Sequence, residues 1–353
     1  SAISFAIEPN VILTEGELTN LTFSVSSPEA PLVTIGFGGA NGVPVFASLN
    51  SISITNTATN GFATGVLTLK PLLLDSGTYT VTLKATGAAA TNAVSGFTNI
   101  VVTVLDNPSF PVTRWKEAVS GNFSDTNRWT DGVPTVSKPG VVDLDGTYTI
   151  TVNADAAVGE LVFGATSGTQ TLRVNARTLT VNGSLQVRGS GLLQLDGGVV
   201  TGPGLVNIAG RMNWTLGTMN GLGSTAIASG GLLTIAGSDW KYLTTRTVNN
   251  AGTIVIASTG GMTVGAEATI NNSGLIDVQS DPQFHNAVGG WTTSAYLNNS
   301  GTIRKSAGIG TFYMGITVNN HGAIVVQNGT IDAGVGGNSS GAFNLANGTS
   351  LRF

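Results

Sequence analysis

The sequence predicts an all-β protein, a β-sandwich followed by a right-handed parallel β-solenoid, and three observations carry that reading. Gly fills 49 of the 353 positions while Asp, Glu, Lys and Arg together make up only 10%. Gly and Asn suit tight turns, and Thr, Val and Ile suit pleated surfaces, so the composition favours strands joined by sharp corners. Hydrophobic residues reach 41%, which is too apolar for disorder. Finally, one phrase returns four times in the C-terminal half at about the length of a solenoid coil. At this chain length two domains are the natural expectation.

Residues 1–107 carry short apolar runs with turn chemistry between them: Leu21 to Val25, Leu32 to Phe37, Ser51 to Thr55, Ala63 to Leu69, Thr78 to Ala85 and Phe97 to Leu105. Six or seven short strands at this spacing read as a β-sandwich. The segment Asp75-Ser76-Gly77-Thr78-Tyr79-Thr80-Val81 resembles the tyrosine corner of immunoglobulin-like domains. That resemblance implies an immunoglobulin-like β-sandwich with Tyr79 in a structural role and Val81 where a disulfide-bonded member would carry Cys. Asp106-Asn107-Pro108 ends the last run, because Pro after Asn favours a turn.

Residues 108–165 read as a Trp-rich linker and solenoid cap. Trp115, Asn122-Phe123-Ser124, Arg128-Trp129 and Gly132-Val133-Pro134 resemble a lead-in segment found ahead of the solenoid in long bacterial surface proteins. Two Trp rings and Phe123 supply the large apolar area that an open solenoid end needs covered. Asp145-Gly146, between Val141 to Leu144 and Thr147 to Val152, carries a hairpin signal. Asp143 and Asp145 do not match a calcium-loop pattern, so they read as turn residues.

Residues 166–353 hold the repeats. The phrase reads Val248-Asn249-Asn250-Ala251-Gly252-Thr253-Ile254, then Ile270-Asn271-Asn272-Ser273-Gly274-Leu275-Ile276, then Leu297-Asn298-Asn299-Ser300-Gly301-Thr302-Ile303, then Val318-Asn319-Asn320-His321-Gly322-Ala323-Ile324. Successive copies start 22, 27 and 21 residues apart, which suits a solenoid coil and not a barrel. Looser copies stand at Val181-Asn182-Gly183-Ser184-Leu185 and Gly202-Pro203-Gly204-Leu205-Val206. Aliphatic positions such as Ile254 and Ile256 point inward and stack between coils, the Gly serves as a left-handed corner, and the Asn side chains bond along the axis as a ladder. Lys305 stands where an inward apolar residue belongs, so a shifted or bulged coil is expected there. About nine coils at about 4.8 Å each make a rod of roughly 45 Å. The segments from Asn213 to Gly221 and from Tyr242 to Asn250 look like repeats of very large bacterial extracellular and adhesin-like proteins, which implies a cell-surface, matrix or filament role.

The net charge of −4, without a Lys/Arg cluster, removes the electrostatic basis of nucleic-acid binding and disfavours anionic membranes. No run approaches the roughly 20 apolar residues of a membrane span. There is no Cys, so neither disulfides nor thiolate metal sites form. No cofactor or metal is implied. Asp196, Asp277, Asp332, Glu160 and Glu267 are scattered singly through the repeats, not paired at one-coil spacing as polysaccharide chemistry needs. Gly221-Leu222-Gly223 is set aside as a dinucleotide signal because no helix follows it. His321 occupies the variable corner position and reads as a surface turn. Asn-x-Ser/Thr sequons at Asn20, Asn122, Asn213, Asn271, Asn298, Asn328, Asn338 and Asn347 arise readily from turn chemistry.

Candidate glycan or partner contacts are Trp240 and Tyr242, in Asp239-Trp240-Lys241-Tyr242, and His285 and Trp291, in the longer stretch between the second and third copies. Aromatic faces beside hydrogen-bonding groups hold sugar rings, and loops extruded from a solenoid carry binding surfaces. The reading is a secreted or cell-surface structural protein without catalytic activity: an adhesin-like stalk, filament subunit or biofilm-matrix component. A carbohydrate-binding module and a polysaccharide-degrading β-helix enzyme are the alternatives. The start at Ser1 and the stop at Leu351-Arg352-Phe353 read as cuts. Further chain of the same protein, or an end-to-end copy, is therefore expected as a partner beside a cell-surface glycan.

Overall fold

The computed structural model describes residues 3–353 apart from 39–42, 45, 74, 89–92, 110, 266 and 287–294. The chain divides into two compact units, Ser1–Phe110 and Pro111–Phe353.

The first unit contains strands β1 (Ser4–Ala6), β2 (Asn10–Thr14), β3 (Thr19–Ser27), β4 (Leu32–Phe37), β5 (Ala47–Asn56), β6 (Gly61–Leu69), β7 (Gly77–Ala88) and β8 (Ala93–Leu105). They form two four-stranded sheets, ordered β1-β3-β6-β5 and β2-β8-β7-β4. The six runs read from the sequence all fall within β3 to β8. Period-two alternation decides which side chains meet between the sheets: Val25, Leu67, Leu69, Leu83, Ala85, Ile100 and Val102 are all fully buried. Gly65 is needed for close approach, since a Cβ there would stand 2.4 Å from Cζ of Phe23. The Tyr79 hydroxyl donates to the Asp75 carbonyl at 2.9 Å, and its ring meets Phe46 edge-on at 4.9 Å. This is the tyrosine corner expected from the motif.

In the second unit every pairing between strands is parallel, and a strand pairs with the equivalent strand one coil on. The result is a parallel β-solenoid of about ten turns with three faces. The first face runs from Thr113–Arg114 to Thr317–Asn320, the second from Gly121–Asn122 to Ala342–Leu345. The third face begins with the N-terminal part of Ala156–Phe163 and ends at Ser350–Arg352. Parallel pairing reaches back through the Trp-rich segment to Thr113. There Trp115, Phe123 and Trp129 are buried in the same core as the coils, with Trp115 and Trp129 edge-on at 5.1 Å. The Trp115 and Trp129 indole N–H groups donate to the Val119 and Phe123 carbonyls at 3.1 and 2.9 Å.

Inward positions stack in columns. Ile254, Ile276, Ile303 and Ile324 occupy one register position in four successive coils and are almost wholly buried. Each such side chain contributes on the order of 1.5–3 kcal/mol relative to exposure, but only because the neighbouring coil covers it.

Three expectations are corrected. The Asp145-Gly146 hairpin does not form. Gly140–Val142 pairs with Thr113–Arg114 and with the C-terminal part of Ala156–Phe163, whereas Gly146–Val152 pairs with Gly121–Asn122 and Gly168–Val174. A solenoid corner uses the same turn chemistry as a hairpin, and adjacent coils then supply the partners for both strands. Asp145 accepts from the Thr166 hydroxyl at 2.8 Å and from the Thr166 and Ser167 N–H groups one coil on; these bonds, the Thr166 hydroxyl foremost, hold its carboxyl below the usual range.

The repeated glycines Gly252, Gly274, Gly301 and Gly322 do not adopt the left-handed conformation expected of them. They are required by close backbone approach, because a Cβ at each would lie 2.1–2.3 Å from a carbonyl oxygen of the preceding coil. Lys305 causes no shift: it pairs in register between Val278 and Val326. Its stem is fully buried, and its ammonium lies 2.6 Å from Asp281 Oδ1 and 2.8–3.1 Å from the carbonyls of Ser280, Ala307 and Gly308. Those partners compensate the desolvation that would otherwise exclude a charge.

Candidate functional site

Polar groups are bound into the stack at several depths. Asn250, Asn272, Asn299 and Asn320 form the expected ladder at a buried corner, each Nδ2 donating to the next Oδ1 at 2.7 Å. A second ladder on the outer side, Asn249, Asn271, Asn298 and Asn319, donates in the opposite direction at 2.9 Å. Arg246 is fully buried and reaches back across two coils, donating to the carbonyls of Gly202, Gly204, Asn220 and Ser224 and to Thr225 Oγ1 at 2.7–3.3 Å. Burial brings its guanidinium down to about 10.

The carboxylates singled out in the sequence do not converge. Asp196 pairs with Arg173 at 2.7 Å and Asp277 with Arg304 at 2.9 Å, while Asp332 caps its own turn through the Gly334 N–H. Burial pushes the Asp277 carboxyl up, but hydrogen bonds from Arg304 and Gln279 outweigh it and hold the group below its ordinary value. Among the described residues no three His, Asp or Glu side chains are grouped as a metal site. His321 lies in an exposed turn beside Ser340 Oγ, at 2.8 Å. Gly221-Leu222-Gly223 leads into the strand Ser224–Ile227, not a helix.

Two of the sequence candidates meet on the outer side of the third face. Lys241 and Leu243 point inward and are buried, so period two sends Trp240 and Tyr242 outward, where they keep 38% and 44% of their surface exposed. Burial lowers the Lys241 pKa, and its ammonium donates to the Asp239 carbonyl at 2.7 Å and to Ser258 Oγ at 3.0 Å. Lys241 pairs with Met262, Met262 with Phe284 and Phe284 with Met314, which aligns the outer residues of four successive coils. Trp240 leans over Gly261 in the next coil: a Cβ on Gly261 would stand 2.3 Å from Cη2 and Cζ3 of the indole. Its Nε1–H donates to Thr263 Oγ1 at 2.7 Å. One coil further, the His285 ring lies 5.4 Å from Trp240 with the planes inclined by 34°, and Gln283 Oε1 is 2.9 Å from its Nε2. Tyr313 continues the row 5.7 Å from His285, its ring leaning over Gly315.

The structure thus joins Trp240 and His285, read from separate segments, with Tyr242 beside them. Trp291 lies outside the described residues. Tyr313 was missed: the coil between it and His285 is longer than its neighbours, which hid the alignment of Tyr313 with Gln283 that the pairing reveals.

No protein-family model matches the chain, and no curated protein matches it. Solved structures do. The BIgI domain of beta protein from S. agalactiae, bound to CEACAM1, is 26% identical over 30% of this chain and 98% of that domain, with a TM-score of 0.20. The sialic acid binding region of a Streptococcus sanguinis adhesin, bound to 3'sLn, is 17% identical over 36% of this chain and 37% of that one, with a TM-score of 0.23. An endo-fucoidan hydrolase of glycoside hydrolase family 107 is 18% identical over 29% of this chain and 14% of that one, with a TM-score of 0.16. The chain spans well under half the length of the last two.

Proposed function

We propose that this protein is a structural, non-catalytic component of a bacterial cell surface or extracellular matrix, an adhesin-like stalk that includes a sandwich domain and a solenoid. The observation that carries the reading is the investment of buried polar groups in coil-to-coil continuity. The inner Asn ladder, the Arg246 clamp and the Lys305 cage all bond along the stack, which is what a spacer requires. The carboxylates Asp196 and Asp277 are engaged by arginines, which supports the non-catalytic part of the reading. No helix among the described residues is long and apolar enough to cross a membrane.

Immunogold labelling of native cells, followed by negative-stain microscopy of the labelled material, tests the location. Label on the outer surface or in the matrix is expected, and label confined to the cell interior overturns the proposal. Regular fibres in the same images would establish the finer form, in which copies join end to end; separate particles would leave the stalk and remove the filament. The non-catalytic part is tested by incubating the chain with a polysaccharide panel. No reducing ends or unsaturated sugars should appear above the level of heat-inactivated protein, and steady release would overturn it.

A further inference from the structure

We propose that the outer side of the third face, from Trp240 to Tyr313, is a carbohydrate-binding strip that takes an uncharged, extended pyranose chain lying along the solenoid axis. Three features carry this beyond the stalk reading. First, the indole is held as a platform: one face is laid against Gly261, the Nε1–H is fixed on Thr263, and 38% of the residue stays exposed. A preorganised aromatic face that keeps this much exposure offers apolar contact to the C–H face of a sugar at low entropic cost. Gly261, in the next coil, makes room for the Trp240 ring, and Gly315, two residues on in the same strand, makes room for the Tyr313 ring.

Second, the row follows the axis. Trp240 and Tyr313 stand three coils apart, about 14 Å at about 4.8 Å per coil. One coil is close to the advance of one sugar unit in an extended β-linked chain, so each ring can meet a successive unit of one polymer. Third, the rim supplies hydrogen-bonding groups without cations. The Tyr242 hydroxyl, the Gln283 amide, the His285 imidazole and the Tyr313 hydroxyl can exchange bonds with sugar hydroxyls. Lys241 is turned inward onto Asp239 and Ser258. Among its described residues the strip therefore offers no ammonium or guanidinium to a carboxylate or sulfate, which selects a neutral chain over an acidic one.

The test is affinity electrophoresis of the whole chain in native gels containing hydroxyethylcellulose, xyloglucan, galactomannan, laminarin or sulfated fucoidan. Retardation is expected in at least one of the four neutral polysaccharides. It should be abolished by Trp240→Ala and by Tyr313→Ala, and weakened at least tenfold by Gly261→Val, which keeps every aromatic residue but lifts the indole from its seat. Trp240→Ala and Tyr313→Ala truncate partly exposed rings and should keep the parent melting temperature. If Gly261→Val unfolds, those two variants decide alone. Absence of retardation in all four neutral gels, retardation only in fucoidan, or unchanged retardation in both alanine variants would overturn the proposal. The assay uses purified protein, so its failure leaves the surface location untouched, and an intracellular location would leave the binding result standing.

Discussion

Asn250, Asn272, Asn299 and Asn320 each occupy a corner where a side chain must bond to the coil before it and the coil after it. An amide is the group that does both, accepting with its oxygen and donating with its nitrogen. In the middle of the ladder both ends are used. At its start the previous coil offers Ile227, and Asn250 Oδ1 is left buried without a hydrogen-bond partner. Removing a middle member creates several such orphans. Asn272→Ala leaves Asn299 Oδ1 and the Thr302 carbonyl without the donor they now share and should cost about 1–3 kcal/mol. Asn271→Ala cuts the outer ladder, where water can replace the lost amide, and should cost less than about 1 kcal/mol. Guanidinium unfolding of the two variants side by side checks the difference, and equal midpoints would show that burial of the inner ladder is not what stabilises it.

A single coil is not a stable element. Its three short strands bury side chains only against coils on either side, so stability is passed from neighbour to neighbour. The first coil gathers three large rings. Where later coils stack mainly Ile, Leu and Val with scattered rings such as Phe163, Trp214, Phe284 and Phe312, it fills its interior with Trp115, Phe123 and Trp129, with Phe123 and Trp129 edge-on at 5.4 Å. Larger rings cover more of the core in the coil where the parallel pairing begins. Trp129→Ala should therefore cost about 3–5 kcal/mol locally and expose the coils next to it. Hydrogen exchange should show lost protection over 140–174 with near-parent protection over 302–326, a gradient that a globally cooperative core would not produce.

For the solenoid as a whole, the coil is the unit of tolerance. Thr247 and Thr269 are register partners, as are Val248 and Ile270, so deleting residues 247–268 brings Thr269 to the place Thr247 held and preserves every face. We expect that variant to fold, with an unchanged circular dichroism spectrum per residue and a cooperative melt. Deleting 251–261 instead removes part of a coil, turns later inward side chains outward, and should give aggregated protein. Equal behaviour of the two deletions would contradict a stack built on register.

The sequence by itself determined the fold class, the tyrosine corner, the repeat and the ladder. Alternation, turn chemistry and a returning Asn-Asn-x-Gly phrase are local or strictly periodic signals that survive without coordinates. It also marked Trp240, Tyr242 and His285. Only the tertiary structure decided what depends on which coil lies beside which. The Asp145-Gly146 turn became a corner because its strands found partners in adjacent coils, and the repeated glycines proved to be demanded by a neighbouring carbonyl and not by their own backbone angles. Lys305 could be buried because Asp281 and three carbonyls stand around its ammonium. Tyr313 joined the aromatic row for the same reason: coils of unequal length place residues far apart in the chain at one height on a face, and sequence spacing alone does not record that height.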